Sequence, residues 1–211
     1  MSRRNSYASP DRFTVAAKRA GFAARSVFKL EEIDRRVRLL KPGQRVLDLG
    51  AAPGSWSQYI VNKVGPKGHL LAIDLQELGT ALPPWATFVQ GDALTITNES
   101  LALHAPYDVV VSDMAPNTTG NRGADQARSY ELFMRALAVA EAYLKVSGAF
   151  VGKIFMGEDF PLARKEVKRL FAAEKLIRPE GTRAESYEIF IVGMGRRGEG
   201  GAGDAKKGPP P

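Results

Sequence analysis

The chain reads as an α/β protein, a mostly parallel sheet with helices on both faces. Three observations predict it. Short apolar runs at 45–50, 69–74, 87–92, 107–113 and 148–155 alternate with amphipathic stretches of helical period at 55–64, 124–145 and 160–173. The first run passes through a Gly- and Pro-rich turn into a helix, in VLDLGAAPGSWSQY. Three successive runs end in an acid, at Asp48, Asp74 and Asp92.

Taken in order, residues 1–10 are expected to lack fixed structure. Residues 11–20 read as a short helix stopped by Gly21. Residues 24–40 read as a second helix with an apolar stripe of Val27, Leu30, Ile33 and Val37. Residues 11–41 form a basic extension packed on the α/β unit, and 11–195 form one domain. Lys41-Pro42-Gly43 turns into the first strand. Val46, Leu47 and Leu49 suit a strand buried on both faces. Leu82-Pro83-Pro84-Trp85 is a loop. The last strand, about 187–194, follows the polar stretch PEGTRAES with no helix before it. So short a connection permits an antiparallel hairpin at the sheet edge. Residues 196–211, rich in Gly, Pro and charge, read as a disordered tail.

Composition narrows the function classes. The 211 residues are 44% hydrophobic and 25% charged, an ordinary soluble composition. No apolar window is long enough to cross a membrane, and MSRRNSYASP lacks the apolar stretch of a secretory signal. The absence of cysteine excludes disulfides, thiol catalysis and Cys-ligated metal, and His69 and His104 are too far apart in sequence to suggest a metal site. Residues 1–41 carry 11 Lys/Arg against 4 Asp/Glu, which accounts for the whole net charge of +7. A localised basic segment with Phe13, Phe22 and Phe28 interleaved suits a nucleic-acid partner ahead of an anionic membrane or a merely solvated helix face.

The turn after the first strand brings bare backbone close to a ligand, and the helix after it offers free N–H groups. Asp74 stands twenty residues past Gly54, the spacing at which an acid holds a ribose diol. The dinucleotide pattern G-x-G-x-x-G is absent and bulky Trp56 follows the turn, which points to an adenosine derivative without pyrophosphate. A second set lies elsewhere. Lys153 sits inside the apolar strand GAFVGKIF, where a lysine needs an acidic partner, and Asp113, which ends the strand 108–113 at the same rim, is a candidate. By residue chemistry alone, Lys29 reads as a solvated helix lysine and Glu188 as an edge-strand acid.

VLDLGAAPGSWSQY, VVVSDMAPNTTG, FVGKIF and SYEIFIVGMG, spaced behind RSVFKLEEI, together resemble the FtsJ/RrmJ (RlmE) family of ribosomal RNA 2′-O-methyltransferases over residues 11–195. The resemblance implies a Rossmann-like methyltransferase fold with a seven-stranded, mostly parallel sheet and S-adenosyl-L-methionine as donor. It implies a catalytic tetrad at Lys29, Asp113, Lys153 and Glu188, with Lys153 as general base. It carries cofactor binding to Gly54, Trp56, Asp74, Asp92 and Asp113, and it implies no metal. The implied substrate is a uridine of 23S rRNA in the large ribosomal subunit, methylated by a cytoplasmic monomer with no membrane partner. The rivals are a tRNA 2′-O-methyltransferase and a non-catalytic ribosome-assembly factor. Ser55 departs from the pattern, since close relatives often have a second Gly there.

Overall fold

The computed structural model describes residues 12–180, 182 and 186–198. The expected disordered start, 1–10, and most of the expected tail lie outside the described residues. Seven strands form one sheet: β1 (Arg45–Leu49), β2 (His69–Asp74), β3 (Ala86–Gln90), β4 (Tyr107–Ser112), β5 (Leu144–Phe155), β6 (Phe171–Ile177) and β7 (Glu188–Arg196). Their spatial order is β3-β2-β1-β4-β5-β7-β6. The first five strands pair in parallel, with Val46 opposite Leu70 on one side and Val109 on the other. The chain winds outward from β1 to β3, returns to β4 and continues the other way. The switch point therefore falls between β1 and β4, and the crevice it leaves lies beyond their carboxyl ends.

Helices cover both faces. On one, α1 (Arg12–Arg19), α2 (Val27–Val37) and α3 (Ser55–Val64) bury Leu30, Ile33, Trp56 and Ile60 against Val46, Val111, Val151 and Phe190. On the other, α5 (Arg122–Tyr143) and α6 (Phe160–Leu170) bury Phe133, Leu137 and Val167 against Leu47, Val110, Phe150 and Ile191. The short α4 (Asn98–Ala102), capped by the Thr97 side chain, adds Leu101 to this second core. Burial on both sides explains why β1, β2 and β4 are near-continuous apolar runs.

Three expectations are corrected. The antiparallel strand is not at the edge: β7 pairs with β5 on one side and β6 on the other, and β6 is outermost. The helix read to 173 stops at Leu170, and FAAEKLI is strand β6. Its Ala, Glu, Lys and Leu are good helix formers, but pairing with β7 and the fork of Arg164 Nε and Nη2 on Glu174, 2.9 Å each, hold it extended. The helix read to 145 ends at Tyr143, and β5 begins directly at Leu144. The antiparallel run of β7 has a consequence for the site. It brings the amino end of β7 to the rim where the parallel strands end.

Candidate active site

Four strand ends and two loops build the crevice. After β1 the backbone turns through Gly50 at φ 79°, and both Gly50 and Ala51 donate to the Ile73 carbonyl at the end of β2. A Cβ on Gly50 would lie 2.7 Å from Met114 Cγ, so only bare backbone lets the β1 turn meet the loop that follows β4. Beside this contact opens a cleft of about 620 Å³, lined by Gly50, Asp74, Asp92, Asp113 and Met114 with Arg128 and Glu131 of α5.

Backbone donors hold the acids of this cleft. Asp74 Oδ2 accepts from Ala52 N–H at 2.9 Å and Oδ1 from Gln76 N–H at 2.8 Å. Each oxygen keeps a lone pair for a further donor, as a ribose diol requires. Asp92 lies just past the end of β3, in the turn, where its Oδ1 accepts from Leu94 N–H at 2.9 Å. Gly54 and Trp56 stand apart from Asp74, Asp92 and Asp113. Neither lines the cleft. Gly54, at φ 108°, is the N-cap of α3, and Trp56 is 2% exposed. The Trp56 indole donates to the Ser26 carbonyl at 2.8 Å and packs on Phe190, so its side chain is committed to the core.

Asp48 is fully buried below the turn. Its Oδ2 accepts from Ser57 at 2.7 Å, while Oδ1 has no partner. Burial pushes its carboxyl up to about 7, the Asp113 and Asp74 charges add to the shift, and the Ser57 hydrogen bond opposes it.

The four tetrad positions form two ion pairs along one sheet face. Lys153, 7% exposed on β5, donates to the Asp113 carbonyl at 2.5 Å, and its Nζ lies 3.0 Å from Asp113 Oδ1. Lys29 of α2 pairs with Glu188 at the start of β7. Lys153 faces Phe190 across the β5–β7 ladder, and Phe155 faces Glu188. These four side chains therefore share a face. Lys29 Nζ lies 5.9 Å from the Phe190 ring centroid, so the second pair lies alongside the first. The reading of Lys29 as a solvated helix lysine is thus corrected: its side chain is 12% exposed and that of Glu188 13%.

Other residues support the pairs, and residue patterns had not pointed to them. Asp34 accepts from Tyr59 Oη at 2.8 Å and from Leu40 N–H at 2.9 Å, fixing α2 against α3. Burial, then the Asp34 hydrogen bond, holds the Tyr59 phenol well above its usual range. Asp125 of α5 accepts from Thr119 N–H and Oγ1, which ties down the loop that begins at Asp113, and the Thr119 amide holds its carboxyl below the usual value. The sequence signal for Asp125 is its place in the first turn of the helix that ends this loop.

Residues 22–196 match the family model of FtsJ-like methyltransferases. A protein of Sorangium cellulosum named ribosomal RNA large subunit methyltransferase E is 65% identical, over 95% of this chain and 94% of its own. One of the same name from Oleidesulfovibrio alaskensis is 49% identical, over 89% and 92%. Among solved structures, a protein of Plasmodium falciparum described as a ribosomal RNA methyltransferase superposes with a TM-score of 0.72 at 25% identity, covering 84% of this chain and all of that one. Aeropyrum pernix fibrillarin, solved with S-adenosyl-L-methionine bound, shares the fold at a TM-score of 0.53 and 15% identity, over 74% of this chain and 68% of its own. With its family model spanning nearly all the described residues and its tetrad positions paired at one rim, the chain belongs to the FtsJ-like methyltransferases.

Proposed function

We propose that the chain methylates the 2′-hydroxyl of a uridine in 23S rRNA of the large ribosomal subunit, in the cytoplasm, with S-adenosylmethionine as donor. The observation that carries this reading is Lys153. It is a buried lysine in a central strand, paired with Asp113, which lines a cleft with a backbone-held acid at the ribose-binding position. A binding module has no use for such a lysine. The names of the close relatives support the substrate.

The residues present fit the donor. The free lone pairs of Asp74 suit a ribose diol, and Asp92 is a second acceptor for a base amino group. The resemblance also assigns Gly54 and Trp56 to the donor, but both are buried at the head of α3 and neither lines the cleft that Asp74 and Asp92 mark. Bound there, S-adenosylmethionine supplies a methyl group made electrophilic by its sulfonium.

The protein then supplies position and a proton acceptor. To take up the 2′-hydroxyl proton, Lys153 Nζ would first have to shed its own proton, and it would then pass the one it accepts on to solvent. Asp113 orients Lys153. Lys29 and Glu188 position the ribose and the phosphate beside it.

The test is transfer of labelled methyl from S-adenosylmethionine to large ribosomal subunits, free rRNA and tRNA from cells lacking this gene. Label at a 2′-oxygen of the subunit is expected. Label on tRNA alone overturns the substrate. No label with donor still bound overturns the activity and leaves an RNA-binding assembly factor.

A further inference from the structure

Beside the tetrad lies an arrangement that the reaction above does not use. Tyr187, directly before Glu188, packs edge to face against Phe155 with ring centroids 4.8 Å apart. The Arg122 guanidinium lies over the same Tyr187 ring, 5.0 Å from its centroid. Arg122 is exposed, and no carboxylate partners it among the described residues.

The placement is built from several sides. Met156 N–H donates to the Tyr187 carbonyl at 2.9 Å, fixing the tyrosine to the end of β5. Gln126 donates to the Met156 carbonyl. Gln126 stands four residues past Arg122 on α5, so both share one helix face. A Cβ on Gly157 would lie 2.8 Å from the Gln126 amide carbon, so the glycine makes room for this link. The first turn of α5 is thereby locked to the strand that carries Lys153, and the guanidinium is held at the rim.

We propose that Arg122, seated on a Tyr187 ring that Phe155 buttresses, is a stacking platform for a base of the single-stranded RNA next to the target ribose. A planar cation held over an aromatic ring on an exposed side chain can meet the π-face of a base, and its charge suits the adjoining phosphate. The proposal rests on the RNA methylation reading, since only that places a nucleotide at Lys153.

The test uses the full chain, saturating S-adenosylmethionine and unmodified large-subunit RNA, and measures methyl transfer and RNA binding separately. Arg122→Ala is expected to raise KM for RNA about tenfold with little change in kcat or in KM for the donor. Arg122→Lys keeps the charge but loses the plane, and is expected to match the alanine variant. Tyr187→Ala is expected to lose as much, and Tyr187→Phe to recover most of it. A KM within about twofold of wild type for Arg122→Ala overturns the platform. So does a wild-type KM for Arg122→Lys, which would mean a point charge on phosphate. If the wild-type chain binds RNA but methylates none, the reaction is wrong, and the same variants still judge the platform by binding. RNA neither bound nor methylated overturns both.

Discussion

Lys153 offers a sharp distinction at the scale of one residue. Arginine there keeps a positive charge that can pair with Asp113 but cannot accept a proton. Lys153→Arg and Lys153→Ala are therefore both expected to lose methyl transfer by about 10²–10⁴-fold, with donor affinity unchanged by calorimetry. An active arginine variant would assign Lys153 to orientation alone. Asp48 carries a second prediction. Its folded carboxyl is raised from 3.8 to about 7, so between these values the unfolded chain ionises it and the folded chain does not. Its contribution to stability is thus lost as pH rises through that window. Asp48→Asn is expected to flatten this fall, so that its stability relative to wild type increases from pH 3.8 to about 7 in urea denaturation. A pH-independent difference would refute it. Lys153 and Asp113 were legible in the sequence because a lysine in an apolar strand demands an acid. Lys29 and Glu188 were not legible from residue chemistry, because their pairing arises only when a helix from one end of the chain lies over a strand from the other.

Elements explain where that reading worked and where it failed. The five parallel strands were legible because burial on both faces leaves them no choice of residue. Strand β6 was not, because with β7 on one side only it can carry Ala, Glu and Lys, and tertiary pairing overrides that preference. Its position also hid the place of β7, which is inserted rather than at the edge. That insertion matters chemically, since it presents Glu188 beside Phe155 and opposite α2. The hold of α2 on the sheet then becomes testable. Asp34→Ala removes the partner of a buried Tyr59 hydroxyl and of Leu40 N–H. It is expected to destabilise the fold by about 2–3 kcal/mol in chemical denaturation, and to reduce transfer through misplacement of Lys29. Tyr59→Phe leaves no hydroxyl unpaired and is expected to cost less. Equal losses would place the strain elsewhere.

At the scale of the whole molecule, the charge is divided as the chemistry is. Beyond residue 41 acids and bases balance at nineteen each, so the excess of +7 belongs to the amino-terminal segment. Its described part is α1 and α2, and α2 also carries Lys29 to Glu188. On the proposed reading one element would both grip and position: its buried face holds Lys29, its outer face exposes Arg35 and Arg36, and Arg38 is exposed at its carboxyl cap. Arg36 is partly committed, pairing with Glu32 at 2.5 Å, so Arg35 and Arg38 are the stronger candidates to meet phosphate. Replacing all three by alanine should weaken RNA binding on every sequence alike. The slope of log affinity against log salt should fall by about 0.7–0.9 for each phosphate that is no longer neutralised. Donor binding should not change, because the cleft lining contains none of these residues. Measured by filter binding over a salt series, a reduced affinity with an unchanged slope would mean that the arginines act through the fold. An unchanged affinity would move the electrostatic grip away from α2.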